Sequence, residues 1–154
     1  IAHNVEIAIP VPNDLKNPVF KTANGNVSLY GQEMDNQTVT LAKLNMLLHG
    51  IQNPHIEQGD TINNPKFKNA GGLETFDICI ANPPFSQKSW LGDAGIEDVY
   101  HRWSEDYCPP AKNGDYAFLL HLISSMKEDT GRGACILPHG VLFRGGAEET
   151  KSYK

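Results

Sequence analysis

The sequence predicts an α/β layer fold with a mostly parallel sheet. Short β-prone runs alternate with two amphipathic helical stretches in the order β-α-β-loop-β-long loop-α-β-α. The run Phe76–Ala81 (FDICIA) ends almost continuously apolar, as strands covered on both faces do. A length of 154 residues suits one domain around one core.

Taken in order, residues 1–26 are rich in Pro and Asn without a sustained period and read as irregular. Val27–Tyr30 is β-prone and reads as a strand ending near Gly31-Gln32-Glu33. Asp35 or Asn36 caps a helix that runs to His49, with Gly50 as its stop. Val39, Ala42, Leu44, Met46, Leu47 and Leu48 give it a broad apolar surface, expected to pack on a sheet. His55–Glu57 is a short strand followed by Gly59-Asp60, and residues 61–73 read as a surface loop. After the Phe76–Ala81 strand comes a long linker, residues 86–113, with Gly, Pro and two Trp; a connection of that length is functional or mobile. Asn113-Gly114-Asp115 opens a second helix with Tyr116, Leu119, Leu120, Ile123 and Met126 on one face. Gly131 lies past its end, Cys135–Leu137 reads as a strand, and Glu148–Lys154 as the start of a further helix.

Composition narrows the function. With 40% hydrophobic and 20% charged residues, the chain falls in the ordinary range for a soluble globular protein. A chain that held DNA alone by neutralising phosphates would be more basic than this one, at −5 and pI about 5.6, so a partner or a local patch must supply that attraction. The three cysteines show no CxxC or Cys/His metal spacing and read as free thiols in a reducing cytosol. The start IAHNVEIAIPVP lacks a basic n-region and carries Glu6 and prolines, unlike a signal peptide. No apolar run reaches membrane-spanning length. Ile rather than Met at position 1 points to a piece of a longer chain.

The chemistry concentrates in Asn82-Pro83-Pro84-Phe85, at the carboxyl end of the apolar strand, where ligands sit in parallel α/β sheets. Proline keeps the residue before it extended and has no N–H of its own. The Pro83 carbonyl and the Asn82 side-chain oxygen then point outward as two neighbouring acceptors, suited to an exocyclic NH₂ group. An adenine amino nitrogen is a poor nucleophile because its lone pair is delocalised into the ring. Two acceptors on its hydrogens favour a pyramidal nitrogen with that pair free. Phe85 offers a face on which a flipped base can stack. The alternative is a rigid turn that ends the strand, with Asn82 serving local backbone groups and Phe85 in the core.

Asn-Pro-Pro-Phe is the form typical of adenine-N6 DNA methyltransferases that use S-adenosylmethionine. The chain further resembles the methylation (M) subunit of type I restriction–modification enzymes. Four segments match in order: LYGQEMDNQTVTLAKLNMLLHGI (29–51), FDICIANPPFS (76–86), NGDYAFLLHLISSM (113–126) and GRGACILPHGVLFRGGAEE (131–149). The resemblance implies a Rossmann-like S-adenosylmethionine-dependent methyltransferase fold and a DNA adenine-N6 methyltransferase in the cytoplasm. The implied attack is direct and in line, with no covalent intermediate and no metal. The implied partners are double-stranded DNA with a flipped adenine, a DNA-specificity subunit and a restriction subunit.

It also implies that Glu33 accepts from the cofactor's ribose hydroxyls, where the alternative is a solvated acid beside a helix start. Asp60 would accept from the cofactor's adenine amino group, where the alternative is an Asx-turn residue. Asn82, Pro83 and Phe85 carry over as target-base residues and Pro84 as their scaffold, with Asn82 also counted among the cofactor-binding residues. Gly140–Gly146 are expected to shape the far wall of the base pocket. Arg144 meets a phosphate or a surface ion pair, and His121 reads as a satisfied helix histidine. His139, Trp90, Arg102 and Trp103 receive no role.

The family's first strand and its glycine-rich turn, D-P-x-x-G-x-G-G, belong before Glu33, where this sequence has only Ala23-Asn24-Gly25-Asn26. Ala70-Gly71-Gly72 and Arg144-Gly145-Gly146 fall in the wrong order. Residues 1–154 are therefore expected to form a partial catalytic domain, inactive by itself. Two other readings stay open: an amino-group methyltransferase acting on RNA or protein glutamine, and a non-catalytic scaffold remnant.

Overall fold

Parallel strand pairs set the frame. The computed structural model describes residues 21–22, 25–26, 28–51, 53–92 and 98–143. Two short strands come first, β1 (Lys21–Thr22) and β2 (Gly25–Asn26), paired antiparallel inside the segment expected to be irregular. Then follow β3 (Tyr30–Glu33), α1 (Asn36–Leu48) and β4 (His55–Gln58). β3 and β4 run parallel, Tyr30 opposite His55 and Glu33 opposite Gln58, and α1 is the crossover between them. The expected loop 61–73 contains an antiparallel pair, β5 (Lys68–Asn69) with β6 (Gly72–Leu73). β7 (Ile78–Ala81) pairs parallel with β8 (Arg132–Cys135) across α2 (Asp115–Ser124). A 3₁₀ turn, His139–Phe143, ends the described chain.

The expected single, mostly parallel sheet is thus only partly observed. Among the described residues the strands form four two-stranded sheets, two of them parallel. The two expected helices and the parallel strands beside them are present, and besides the extra strand pairs at 21–26 and 68–73 three expectations shift. β8 lies at Arg132–Cys135, not Cys135–Leu137: its position follows from pairing with β7, which puts Ile78 opposite Arg132 and Ala81 opposite Cys135. α1 buries Val39 and Met46, while Leu44, Leu47 and Leu48 stay exposed, so its apolar face is only partly covered by described residues. α2 buries Asp115, Tyr116, Ala117, Phe118, His121 and Leu122 and exposes Ile123. It is covered on two sides, and a single apolar stripe misjudges which residues go inside. The expected helix at Glu148–Lys154 lies outside the described residues, as do Arg144, Gly145 and Gly146.

The two sides of α2 explain where the core sits. Leu122 packs with Cys79 and Ala81 of β7, joined by Met126 and Cys135. Ala117 and Phe118 pack with Ile62, Trp90 and Trp103 from two loops. The two indoles meet edge to face with centroids 5.2 Å apart. Each removes on the order of 150–250 Å² from water, an upper contribution of roughly 4–6 kcal/mol at about 25 cal/mol per Å². The α1 start follows its sequence signal: Asp35 Oδ1 accepts from the Thr38 N–H at 2.8 Å.

The turn from α2 into β8 depends on Gly131. A Cβ there would stand 2.5 Å from the Lys127 carbonyl oxygen and 2.7 Å from the Lys127 nitrogen, and backbone atoms cannot give way like a flexible side chain. Gly131→Ala is expected to cost about 1–3 kcal/mol, a fall in Tm of about 2–4 °C per kcal/mol for a domain of this size. Thermal unfolding followed by circular dichroism checks it, and an unchanged Tm counts against this packing.

Candidate active site

The carboxyl ends of β3, β4 and β7 contribute to one cleft. Glu33 closes β3, and its carbonyl accepts from the Gly59 N–H at 2.9 Å, extending the β3–β4 ladder to the last residue. Its side chain is 2% exposed. Oε1 accepts from the Asp35 N–H at 2.9 Å, while Oε2 is buried with no hydrogen-bond partner among the described residues. A carboxylate oxygen kept from water without a donor is costly. Such an oxygen suits a ligand that brings hydroxyls to it.

The turn after β4 stands beside it. Asp60 Oδ1 accepts from the N–H groups of Ile62 (2.8 Å) and Asn63 (2.9 Å), and Oδ2 accepts from Asn63 Nδ2 (2.9 Å). Asp60 is therefore an Asx-turn residue, and it also lines the cleft. Buried Gln32 ties this turn back to β3, donating to the Asn64 carbonyl (3.0 Å) and accepting from the Lys66 N–H (2.9 Å). Asn63 then clasps the opposite loop: Nδ2 donates to the Trp90 carbonyl (2.8 Å) and Oδ1 accepts from the Gly92 N–H (3.0 Å).

The opposite wall begins where β7 ends. Asn82 is exposed, Pro83 and Pro84 are buried, and Phe85 is 51% exposed. The alternative that put Phe85 in the core therefore does not describe this turn. The Asn82 side chain and the Pro83 carbonyl make no hydrogen bond with described residues. Ser86 follows with φ 53°, a conformation costly for a side-chain-bearing residue. Its N–H donates to Oδ1 of fully buried Asp115 at 2.8 Å, which holds the turn. Gly114 N–H donates to the Gln87 carbonyl (2.9 Å) and Trp90 Nε1 to the Pro110 carbonyl (2.9 Å). The cleft between the walls encloses about 520 Å³, within the usual size of small-molecule sites, and Glu33, Asp60, Ile62, Pro84, Trp90 and Phe118 line it. Among the motif residues Pro84 faces the cleft, while Asn82, Pro83 and Phe85 lie at its side without lining it.

Behind Trp90 lies a charged group that sequence reasoning left without a role. Arg102, 4% exposed, forms a two-point pair with Asp98: Nε donates to Oδ2 and Nη2 to Oδ1, both at 2.8 Å. Nη2 also donates to the Ile62 carbonyl (2.7 Å), Nη1 meets His121 Nδ1 (3.0 Å), and the guanidinium lies 4.4 Å from the Trp103 ring centroid. Burial on its own would raise the Asp98 carboxyl. The hydrogen bonds and charge of Arg102 outweigh it and hold Asp98 below the ordinary carboxylate value. The signal available for this pair was opposite charge at an i, i+4 spacing. Asp115 and Asn63 gave none, since each acts across a gap of more than twenty residues. Among the described residues no group of His, Cys, Asp and Glu is disposed to hold a metal ion. No helix there is long and apolar enough to cross a membrane.

The chain is similar to known proteins over most of its length. The profile of the N-6 DNA Methylase family matches residues 12–152. The type I restriction enzyme MjaVIII methylase subunit of Methanocaldococcus jannaschii is 34% identical over 140 residues, covering 85% of this chain and 23% of its own length. The MpnII methylase subunit of Mycoplasma pneumoniae is 33% identical over 133 residues, covering 80% and 24%. A crystal structure of the type I restriction-modification system methyltransferase subunit from Streptococcus thermophilus superposes with a TM-score of 0.68 at 35% identity, over 80% of this chain and 26% of that one. The chain spans about a quarter of the length of these relatives.

Because Asp98 is depressed, its contribution to stability is complete above the ordinary carboxylate pKa of about 3.8 and is lost as pH falls through its lower folded value. Asp98→Ala is expected to destabilise by about 3–5 kcal/mol at neutral pH by stranding a buried guanidinium, and the gap from wild type narrows in acid below that range. Urea unfolding of both proteins across that range decides it; a pH-independent gap contradicts the assignment.

Proposed function

Since this chain belongs to the N-6 DNA methylase family, we propose that the full protein methylates the N6 amino group of adenine in double-stranded DNA, with S-adenosylmethionine as donor. It does so as the methylation subunit of a type I restriction–modification system in the cytoplasm. The observation that carries the proposal is one cleft bordered by the buried, half-satisfied Glu33 carboxylate and by Pro84 of the Asn-Pro-Pro-Phe turn. The net charge of −5 supports leaving most of the DNA attraction, and the sequence recognition, to a specificity subunit, with a restriction subunit completing the system.

Bound S-adenosylmethionine supplies a methyl group activated by a positively charged sulfur. Glu33 Oε2 accepts from its ribose hydroxyls, and Asp60, with lone pairs left over from its Asx turn, accepts from its adenine amino group. The Asn82 side-chain oxygen and the Pro83 carbonyl accept from the hydrogens of the target amine and hold its nitrogen lone pair toward the methyl carbon. The transfer that the donor would supply forms an N–C bond and breaks a C–S bond, and the proton lost from the nitrogen would pass to solvent by way of these acceptors. Phe85 stacks on the flipped base, and buried Pro84 fixes the turn. Nothing in this scheme needs a metal or a covalent enzyme intermediate.

Asn82→Ala in the full-length protein is expected to lower methyl transfer at least about a hundredfold, the scale for losing one positioned group at a reacting centre. A scaffold role instead leaves the phenotype unchanged, and incorporation into RNA or protein rather than DNA overturns the substrate assignment. Glu33→Gln is expected to weaken S-adenosylmethionine binding about 10–100-fold, from roughly 1.5–3 kcal/mol for a hydrogen bond to a charged group; calorimetric titration measures it. The isolated 154-residue chain is expected to bind the cofactor weakly or not at all and not to methylate DNA, which robust turnover by that chain contradicts.

A further inference from the structure

We propose that Arg102 is a positioning residue for the cofactor side of the cleft, holding the Asp60–Ile62 turn through the Ile62 carbonyl. The inference rests on the cofactor assignment above. Ile62 is gripped at both of its backbone polar groups. Its N–H donates to Asp60 Oδ1 at 2.8 Å, and its carbonyl accepts from Arg102 Nη2 at 2.7 Å. A shift of the guanidinium therefore reaches the Asp60 carboxylate through a single residue. Asp60, Thr61 and Ile62 all line the cleft.

The guanidinium itself has little freedom. Asp98 binds it at Nε and Nη2, and its own backbone N–H also donates to Asp98 Oδ2 at 2.8 Å. Nη1 faces His121 Nδ1 at 3.0 Å. Arginine only donates, so His121 Nδ1 is the acceptor and the ring proton sits on Nε2. His121 thereby orients the fork whose other arm reaches Ile62. Lysine can pair with Asp98 as a point charge, but it lacks the planar fork that reaches His121 and Ile62 at once. His121 lies on α2, the helix whose Asp115 holds Ser86 beside the Asn-Pro-Pro-Phe turn. One helix thus supports both walls of the cleft.

The test uses the full-length protein, calorimetric titration with S-adenosylmethionine, and DNA methylation at saturating cofactor. Arg102→Lys is expected to raise the cofactor Kd about 10–100-fold, the range for residues that orient a binding group, while kcat at saturation stays near wild type. His121→Leu is expected to shift Kd in the same direction. His121→Gln, whose side-chain oxygen still accepts from Nη1, is expected to restore it. Unchanged cofactor affinity in Arg102→Lys overturns the inference while leaving the cofactor assignment standing. A wild-type protein that does not bind S-adenosylmethionine sinks that assignment and this inference with it. Should Arg102→Lys fail to fold, the two His121 variants decide the matter, and equal affinity in the Leu and Gln forms overturns the inference.

Discussion

A guanidinium removed from water is tolerated only when its charge and its donors are matched in place. Arg102 meets that condition by drawing on Asp98 in its own loop, His121 on α2 and the carbonyl of Ile62 in the turn after β4. The consequence is architectural. Among the described residues no hydrogen-bonded ladder joins the β3–β4 pair to the β7–β8 pair. The turns after β3, β4 and β7 nevertheless border one cleft, and side chains make the connection. Arg102 reaches Ile62, Asn63 clasps the backbone at Trp90 and Gly92, and Asp115 holds Ser86. The described part of the linker 86–113 is accordingly a packed wall, with Trp90 and Trp103 buried at its centre.

What the sequence made legible was local. The α1 cap at Asp35 needs only a side chain three residues from its donor, and that donor is where the pattern puts it. The apolar run before Asn82 does sit in a parallel pair, but among the described residues only its Cys79 and Ala81 face is buried and Ile80 stays exposed, so the expected cover on both faces is not observed. The position of β8 was not legible in this way. Arg132-Gly133-Ala134-Cys135 has little β propensity of its own, and pairing with β7 selects it over the more apolar Cys135–Leu137. The α2 face was misjudged for a related reason. A helix packed against strands on one side and a loop cluster on the other buries a polar residue such as His121 and exposes Ile123. The Arg102 contacts lay furthest from view, since His121 and Ile62 stand 19 and 40 residues away in the chain.

The site residues divide along the same line. Glu33, Asp60 and Asn82–Phe85 are candidates picked by motif, and their states follow from neighbours that no motif includes. Asp60 spends much of its hydrogen-bonding capacity on its own turn, which makes it a rigid acceptor. Glu33 spends one oxygen on the Asp35 N–H and keeps the other buried and unmatched. Of the two acids, Glu33 therefore gains more from a ligand that brings donors, because the cost of its burial is already built into the fold.

The Asn-Pro-Pro-Phe turn differs, with Asn82 and Phe85 exposed and only its two prolines buried. Its conformational freedom is removed in advance by two imino acids and by Ser86, held at φ 53° through a hydrogen bond to a fully buried carboxylate. A strained serine in that position persists only because Asp115 over-determines it. Ordering the turn then costs little when a ligand arrives, and more of the stacking and hydrogen-bond energy appears as affinity and alignment. Both sides of the cleft are thus held by buried charged side chains, Asp115 bonding the turn after β7 and Arg102 the turn after β4.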